Sequence, residues 1–342
     1  MTTTTQPARG RSRQVSQTPL AALGEIRTCL LPHSTTLDIQ ATEELLALIP
    51  GANVVSRDRP GPLAFSPPRA VGVDCHLSRG GTATARIVGT VASTAILVGG
   101  RISQVSSHVT VVRAPQKLRR SWSHYVSRVG TVEIIGTLPD REGADQQLTD
   151  AYRAMPTSDS ADMAFLDIAS VCARQLDELR YSPLLDQSPP LLAPTTRLRW
   201  TARVGKEKAT SVYFEYHRDD QPRTLTVTVQ RAEDLPTARR FCEDVAAHDW
   251  LLTVINAKVL AANGFGGGYA RQVEVLAPVL EHLAHLWMPG AHVPDEIRSL
   301  WRKLQTDPGF SRQWDTRVAQ LEHRIAVATY HAARGGYPAD DH

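Results

Sequence analysis

The pattern of hydrophobic and polar positions gives the chain a β-rich first part. Alternation over residues 25–31 predicts a strand, and helical spacing over 37–49 predicts an amphipathic helix that stops at Pro50-Gly51. Proline-rich residues 60–68 favour a loop and an edge strand, because proline has no backbone N–H to donate. An antiparallel meander is then predicted by three runs rich in β-branched residues, 82–92, 94–104 and 106–113.

The middle of the chain predicts one more strand, two helices and a linker. The strand covers residues 131–138, and the helices cover 144–154 and 160–181, the second with a single apolar stripe. Loosely alternating proline and leucine over 183–194 is typical of a linker. A second three-stranded meander follows, over residues 197–204, 211–217 and 223–230.

The last part of the chain predicts long helices. Asp234 and Pro236 resemble a capping residue and a first-turn proline, and they would open a helix that runs to about residue 262. Pro278 should kink the first of the later helices. Those helices are predicted over residues 271–287, 294–305 and 310–333.

Together these elements predict an α+β fold with two antiparallel β-meander units and a mainly helical C-terminal half. The domain organisation that follows is a disordered basic tail, a β-rich subdomain, a helical bridge and a unit made of a meander plus helices, over residues 1–19, 20–140, 141–182 and 195–335.

Composition adds a location and a redox state to this picture. Within its 342 residues the sequence has no uninterrupted apolar stretch long enough for a spanning helix, and residues 1–17 lack the apolar region of a secretory signal. We therefore expect a cytoplasmic protein without membrane contact. Its four cysteines are far apart and form no CxxC pair, so reduced thiols are expected.

Charge is distributed in blocks, although the net formal charge is only +3. Residues 75–132 hold eight basic residues and no Asp or Glu, whereas residues 133–186 hold eleven acidic and four basic ones. One interpretation is a basic surface for a partner, with aromatic rings beside the cations. The predicted binding residues are Arg113, Lys117, Arg119, Arg120, Trp122, His124, Tyr125 and Arg128. The other interpretation is that the acidic helical bridge packs over the basic sheet and neutralises it.

Catalytic candidates are few. Cys75 with His76 has the right residue types for an activated thiolate, but neighbours on a strand point to opposite faces. His248 beside Asp249 would suit a general base, yet adjacent helical residues diverge by about 100°. His282 and His285 share a helix face without further ligands, and the glycine-rich residues 264–269 lack the features of a phosphate loop. The sequence therefore predicts no reaction, metal or cofactor.

Several short segments carry a resemblance that spans most of the chain, at residues 24–34, 122–125, 130–133, 198–200, 248–253, 285–291 and 308–314. In these segments the chain resembles an uncharacterised actinobacterial family, typified in Streptomyces. Genes of that family tend to lie beside those for a variant P-loop protein and a methyltransferase-like protein. The resemblance implies a component of a multi-protein intracellular system and implies no reaction.

The function predicted from these observations is that of an interaction or adaptor protein, with the neighbouring P-loop protein as a candidate partner. One alternative is nucleic-acid or nucleotide binding through the basic segment 113–128. A further alternative is an enzyme that uses Cys75 or His248.

Overall fold

A computed structural model describes residues 18–77, 85–114, 118–135, 144–154, 166–205, 210–216, 223–262 and 268–335. The predicted disorder of the N-terminal tail therefore falls almost entirely outside the described residues. So do Arg79, Lys117 and the glycine-rich residues 264–267.

The described elements are ten strands and eight α-helices, with short 3-10 turns at Ala232–Asp234 and Ala284–Leu286. The strands are β1 (Pro19–Leu30), β2 (Val55–Arg57), β3 (Leu63–Phe65), β4 (Arg69–Leu77), β5 (Ala85–Val98), β6 (Ile102–Arg113), β7 (Thr131–Ile135), β8 (Thr196–Val204), β9 (Ser211–Glu215) and β10 (Arg223–Val229). The helices are α1 (Ile39–Leu46), α2 (Trp122–Val126), α3 (Ala144–Ala154), α4 (Ile168–Arg180), α5 (Leu235–Ala261), α6 (Gly268–Leu283), α7 (Asp295–Thr306) and α8 (Phe310–Gly335).

All ten strands belong to one mixed sheet. Its order is β2-β3-β5-β7-β6-β1-β8-β10-β9, and β4 pairs with the first half of β5. The α+β class is therefore confirmed, but the two separate meanders are not, because the sheet is mixed and partly parallel. Strand β1 joins the two groups of strands, since it pairs with β6 on one side and with β8 on the other.

The first predicted meander of three runs is replaced by two long strands, β5 and β6. Polar positions near residues 93 and 106 suggested breaks, but these serines are buried inside continuous strands, and the hydroxyls of Ser93 and Ser107 lie 2.6 Å apart. The reversal comes instead at Gly99 and Gly100, which have φ angles of 58° and 61°. Two consecutive positive φ angles are the requirement of a type I′ hairpin turn.

Strand β7 enters the sheet where β5 and β6 separate. It runs antiparallel to β5 at residues 86–89 and parallel to β6 at residues 110–113. Gly89 allows this approach, since a Cβ there would lie 2.1 Å from the carbonyl oxygen of Thr131. In the second strand group, β8 and β10 are parallel neighbours and β9 is the outer strand, so the order of a meander is not adopted.

Helices cover both faces of the sheet. On one face α1, α3 and α4 pack on alternate residues of β1, β5 and β6, such as Leu23, Val105 and Val109. On the other face α5 is the central helix and packs on Ile26, Ile96 and Trp200 together with parts of α6, α7 and α8. The short helix α2 covers the remaining end of that second face.

Most of the predicted helices are confirmed near their expected bounds, including the long helix α5 with proline in its first turn. The predicted cap is wrong in one respect. The Asp234 side chain makes no capping hydrogen bond and instead pairs with Arg231 at 3.1 Å. Pro278 lies inside α6, and the long linker 183–194 contains no helix or strand.

Candidate functional site

Helix α2 is fixed to the sheet by a small buried core. Tyr125 is 1% exposed and packs with Val88 of β5 and Ile135 of β7. Its hydroxyl accepts a hydrogen bond from the backbone N–H of Arg120 at 3.1 Å. Tyr125, predicted as a stacking surface, is thus a core residue that holds the helix in place.

The buried carboxylate of Glu133 holds the basic side chains around α2. Its side chain is 2% exposed, and its Oε1 accepts from Arg128 at 2.7 Å and from His124 Nε2 at 2.9 Å. Arg120 donates to His124 Nδ1 at 3.4 Å, and Nε2 is the ring nitrogen that donates to Glu133. Glu133 therefore orders three basic residues of the predicted site.

A second carboxylate, Asp74 of β4, organises the next pair of arginines. Arg86 donates to it through two nitrogens, one at 2.7 Å, and the Nε of Arg119 lies 3.4 Å from it. The arginine-rich block is bordered in sequence by Asp74 and Glu133, and both of these bordering carboxylates contact described arginines of the block. The acidic helices α3 and α4 lie on the opposite face of the sheet.

Apolar side chains are exposed among these arginines. Trp122 is 41% exposed, and Leu118, Val126 and Val129 are exposed to a similar or greater degree. The guanidinium of Arg119 lies 4.7 Å from the centre of the Trp122 ring, a cation–π contact. We call this set the α2 surface: Arg86, Leu118, Arg119, Arg120, Trp122, Val126, Arg128 and Val129.

The structure does not bring every predicted binding residue to the α2 surface. Arg113 ends β6, where alternation places it on the same side as Val109 and Val111, toward the opposite face. Arg101, another member of the basic block, is buried at the hairpin and donates to the carbonyls of His33 and Ser34. The described part of the α2 surface therefore holds four arginines and two carboxylate partners.

His248 and Asp249, considered together as a base and its partner, lie in different environments. His248 Nε2 accepts from the backbone N–H of Met288 at 3.1 Å, and its Nδ1 lies 2.7 Å from the carbonyl of Asp244. Both ring nitrogens are thus occupied by backbone groups, as in a structural histidine. Asp249 instead contacts Arg223 at 2.8 Å and lines a separate cleft.

Cys75 has none of the features of an activated thiol. It is half-buried against the apolar core beneath α3 and α4. Its thiol pKa is raised mainly by this burial and to a smaller extent by the nearby Asp74. It lies on the face opposite His248, so the two residues do not share a site. Among the described residues, no group of three His, Cys, Asp or Glu side chains is placed to hold a metal ion.

Comparison of the chain with protein-family models, curated proteins and solved structures found no match. Among the described helices, none combines the length and the apolar character needed to cross a membrane.

Glu133→Ala is expected to lower the free energy of unfolding by about 2 kcal/mol, because it leaves Arg128 and His124 without their carboxylate. Urea denaturation would measure the change. The matched control is Glu274→Ala, which removes an exposed carboxylate paired with Arg271 on α6 and should change stability by less than about 0.5 kcal/mol. Equal effects of the two substitutions would contradict the anchoring role of Glu133.

Proposed function

We propose that this protein is an adaptor that binds a partner protein through the α2 surface. The observation that carries the proposal is the exposed Arg119–Trp122 pair among Leu118, Val126 and Val129. Exposed apolar groups that lie together and are bordered by charge are typical of interaction sites. Tryptophan and arginine are also the residues most enriched among those that dominate binding energy.

The α2 surface is held in place by buried residues, which favours its use as a docking site. Tyr125 fixes helix α2 to the sheet. The carboxylates of Glu133 and Asp74 hold three arginines of the α2 surface in place without a partner. Side chains that are already ordered lose less conformational entropy on binding. A partner would therefore meet a largely preformed surface.

The partner chemistry that fits is an amphipathic segment with acidic side chains. Its apolar residues would cover Trp122 and Val126, and its carboxylates would approach Arg119 and Arg120. Four arginines against Asp74 and Glu133 leave the described α2 surface with a positive balance, so complementary charge would also accelerate association. The resemblance to the actinobacterial family adds a named candidate, the variant P-loop protein encoded beside its members.

Nucleic-acid or nucleotide binding is supported less well by these contacts. A stacking platform needs an open aromatic face, but Arg119 lies over Trp122 and Tyr125 is buried. Several of the arginines that would contact phosphates are already held by Asp74 and Glu133. The exposed apolar side chains have no role in phosphate contact.

Biolayer interferometry with the purified P-loop protein tests the proposal. Trp122→Ala should weaken binding by about tenfold or more, because an aromatic anchor is lost, and Arg119→Glu should also weaken it. The matched controls are Tyr330→Ala, at an exposed aromatic on α8, and Arg271→Glu, at an exposed arginine on α6. Neither control should change affinity.

Two results would overturn this function. One is the absence of saturable binding by the P-loop protein, and the other is binding that Trp122→Ala and Arg119→Glu leave unchanged. A parallel fluorescence titration with single-stranded and duplex oligonucleotides at two salt concentrations separates the alternative. Saturable oligonucleotide binding that falls steeply with salt and requires Arg119 would favour nucleic acid instead.

A further inference from the structure

A second site lies at the β9 end of the sheet, and most of the α2 surface lies toward the opposite end. It is a cleft of about 510 Å³ between the outer strand β9, the C-terminal half of α5 and the first turn of α8. Ligand pockets in proteins commonly enclose roughly 300–1,000 Å³, so this cleft has the volume for one small molecule. We propose that it binds a small planar aromatic molecule that carries N–H donors.

The walls of the cleft are aromatic and aliphatic. Phe214 and Phe310 contact edge to face, with ring centres 5.4 Å apart. Tyr216 and Leu260, which are 68% and 63% exposed, also line the cleft. A flat ligand ring inserted into the cleft would cover apolar surface that is otherwise in contact with water. The burial of such surface is the main source of affinity in sites of this kind.

The polar groups of the cleft lie around Arg223, which extends from the sheet. Asp249 of α5 contacts the Nε of Arg223 at 2.8 Å, and Arg223 also donates to the hydroxyl of Thr253 at 2.7 Å. That hydroxyl donates in turn to the carbonyl of Asp249 at 2.8 Å. The guanidinium lies 5.0 Å from the ring centre of Tyr216, so the same arginine positions one wall.

Asn256 supplies a hydrogen-bond acceptor for a ligand. Its side-chain oxygen is buried and has no hydrogen-bond partner among the described residues, and the residue lines the cleft one turn from Thr253. A buried acceptor without a donor costs free energy of about 1–3 kcal/mol, which a ligand N–H would recover.

This combination defines the ligand class. The apolar walls require a ring, and the Asn256 oxygen requires a donor. The strand and the helices that form the cleft differ from those that form the α2 surface. Binding there would therefore be a function separate from partner docking.

Ligand-observed saturation-transfer NMR with 2-aminobenzimidazole tests the proposal on the full chain. The comparison probe is 2-methylbenzothiazole, which has a similar shape and no N–H donor. We expect a clear signal for the first probe and a signal at least about threefold weaker for the second.

Two variants locate the binding. Ala257→Trp places a large side chain in the cleft at an exposed position of α5 and should abolish the signal, whereas Ala332→Trp, at an exposed position late in α8, should preserve it. Asn256→Leu should reduce the 2-aminobenzimidazole signal to the level of 2-methylbenzothiazole. Thermal melting monitored by circular dichroism confirms that each variant is folded.

Each other outcome overturns the proposal. If 2-aminobenzimidazole gives no signal with the unmodified protein, the cleft is not a site for this class of ligand. If Ala257→Trp leaves the signal intact, the probe binds elsewhere. If Asn256→Leu has no effect while Ala257→Trp abolishes the signal, the donor requirement is wrong and the assigned ligand class fails.

Discussion

Replacing Asp244 with alanine is expected to lower the free energy of unfolding by about 3–5 kcal/mol. The Oδ2 of this buried carboxylate accepts from the backbone N–H of Gly290 at 2.8 Å and from the indole N–H of Trp301 at 2.7 Å. Without it, two buried donors lose their acceptor, and each costs roughly 1–3 kcal/mol. The shift of the urea denaturation midpoint at unchanged m-value measures the effect.

Two comparisons make the Asp244 result specific. Asp244→Asn keeps an oxygen that can accept from both donors but loses the negative charge that strengthens these hydrogen bonds, so its loss should be about half as large. Asp295→Ala removes a carboxylate whose side chain is 82% exposed and whose partner is Arg298, and it should cost less than about 0.5 kcal/mol. A loss below about 1 kcal/mol for Asp244→Ala would show that these hydrogen bonds are replaced by water.

The size of this effect follows from the position of Asp244 in the helical half. Asp244 and His248 are one turn apart on α5, and both hold the turn after α6, through Gly290 and Met288. The His248 ring is also in edge contact with Trp301, at a centre distance of 5.3 Å. A histidine with these contacts positions helices, which explains why His248 need not take part in chemistry.

The elements of α5 could be predicted from sequence, but the role of its polar side chains could not. Apolar periodicity and Pro236 indicate where the helix lies, because those signals are local. The neighbouring residues His248 and Asp249 look like one functional pair in sequence. On the helix they diverge into two environments, and only the packing of the later helices determines what each one contacts.

The sheet shows the same limit. Ser93 reads as a break in a pattern of apolar residues, because the pattern cannot record that its hydroxyl pairs with that of Ser107 on the neighbouring strand. The parallel pairing of β8 and β10 depends on contacts between residues about 25 positions apart in sequence, such as Leu198 and Arg223. Local alternation indicates that a strand exists but does not determine which other strand it pairs with.

Sequence reasoning selected a basic segment and missed the carboxylates that contact it. The charge count covered residues 75–132 and therefore left out Asp74 and Glu133, the two carboxylates that order these basic side chains. It also grouped Arg113 with residues of the opposite sheet face. The cleft was missed entirely, since it combines β9, α5 and α8, and no short segment carries its pattern.

The pH dependence of stability is expected to change when Asp249 is replaced with asparagine. Burial raises the pKa of Asp249 to about 7, against the opposing effect of Arg223. The folded protein therefore holds a proton that the unfolded chain, with an ordinary carboxyl pKa near 3.8, releases. The contribution of this group to stability is fully present below about pH 4 and is lost as the pH rises toward 7.

Urea denaturation of both proteins between pH 4 and pH 8 measures this contribution. A pKa shift from 3.8 to about 7 corresponds to up to about 4 kcal/mol, so Asp249→Asn should gain up to that amount relative to the unmodified protein across the range. The exposed control Asp295→Asn should follow the unmodified protein at every pH. Parallel stability curves for Asp249→Asn and the unmodified protein would mean that Arg223 keeps the carboxylate ionised, and the ion pair would then be stable from acid to neutral pH.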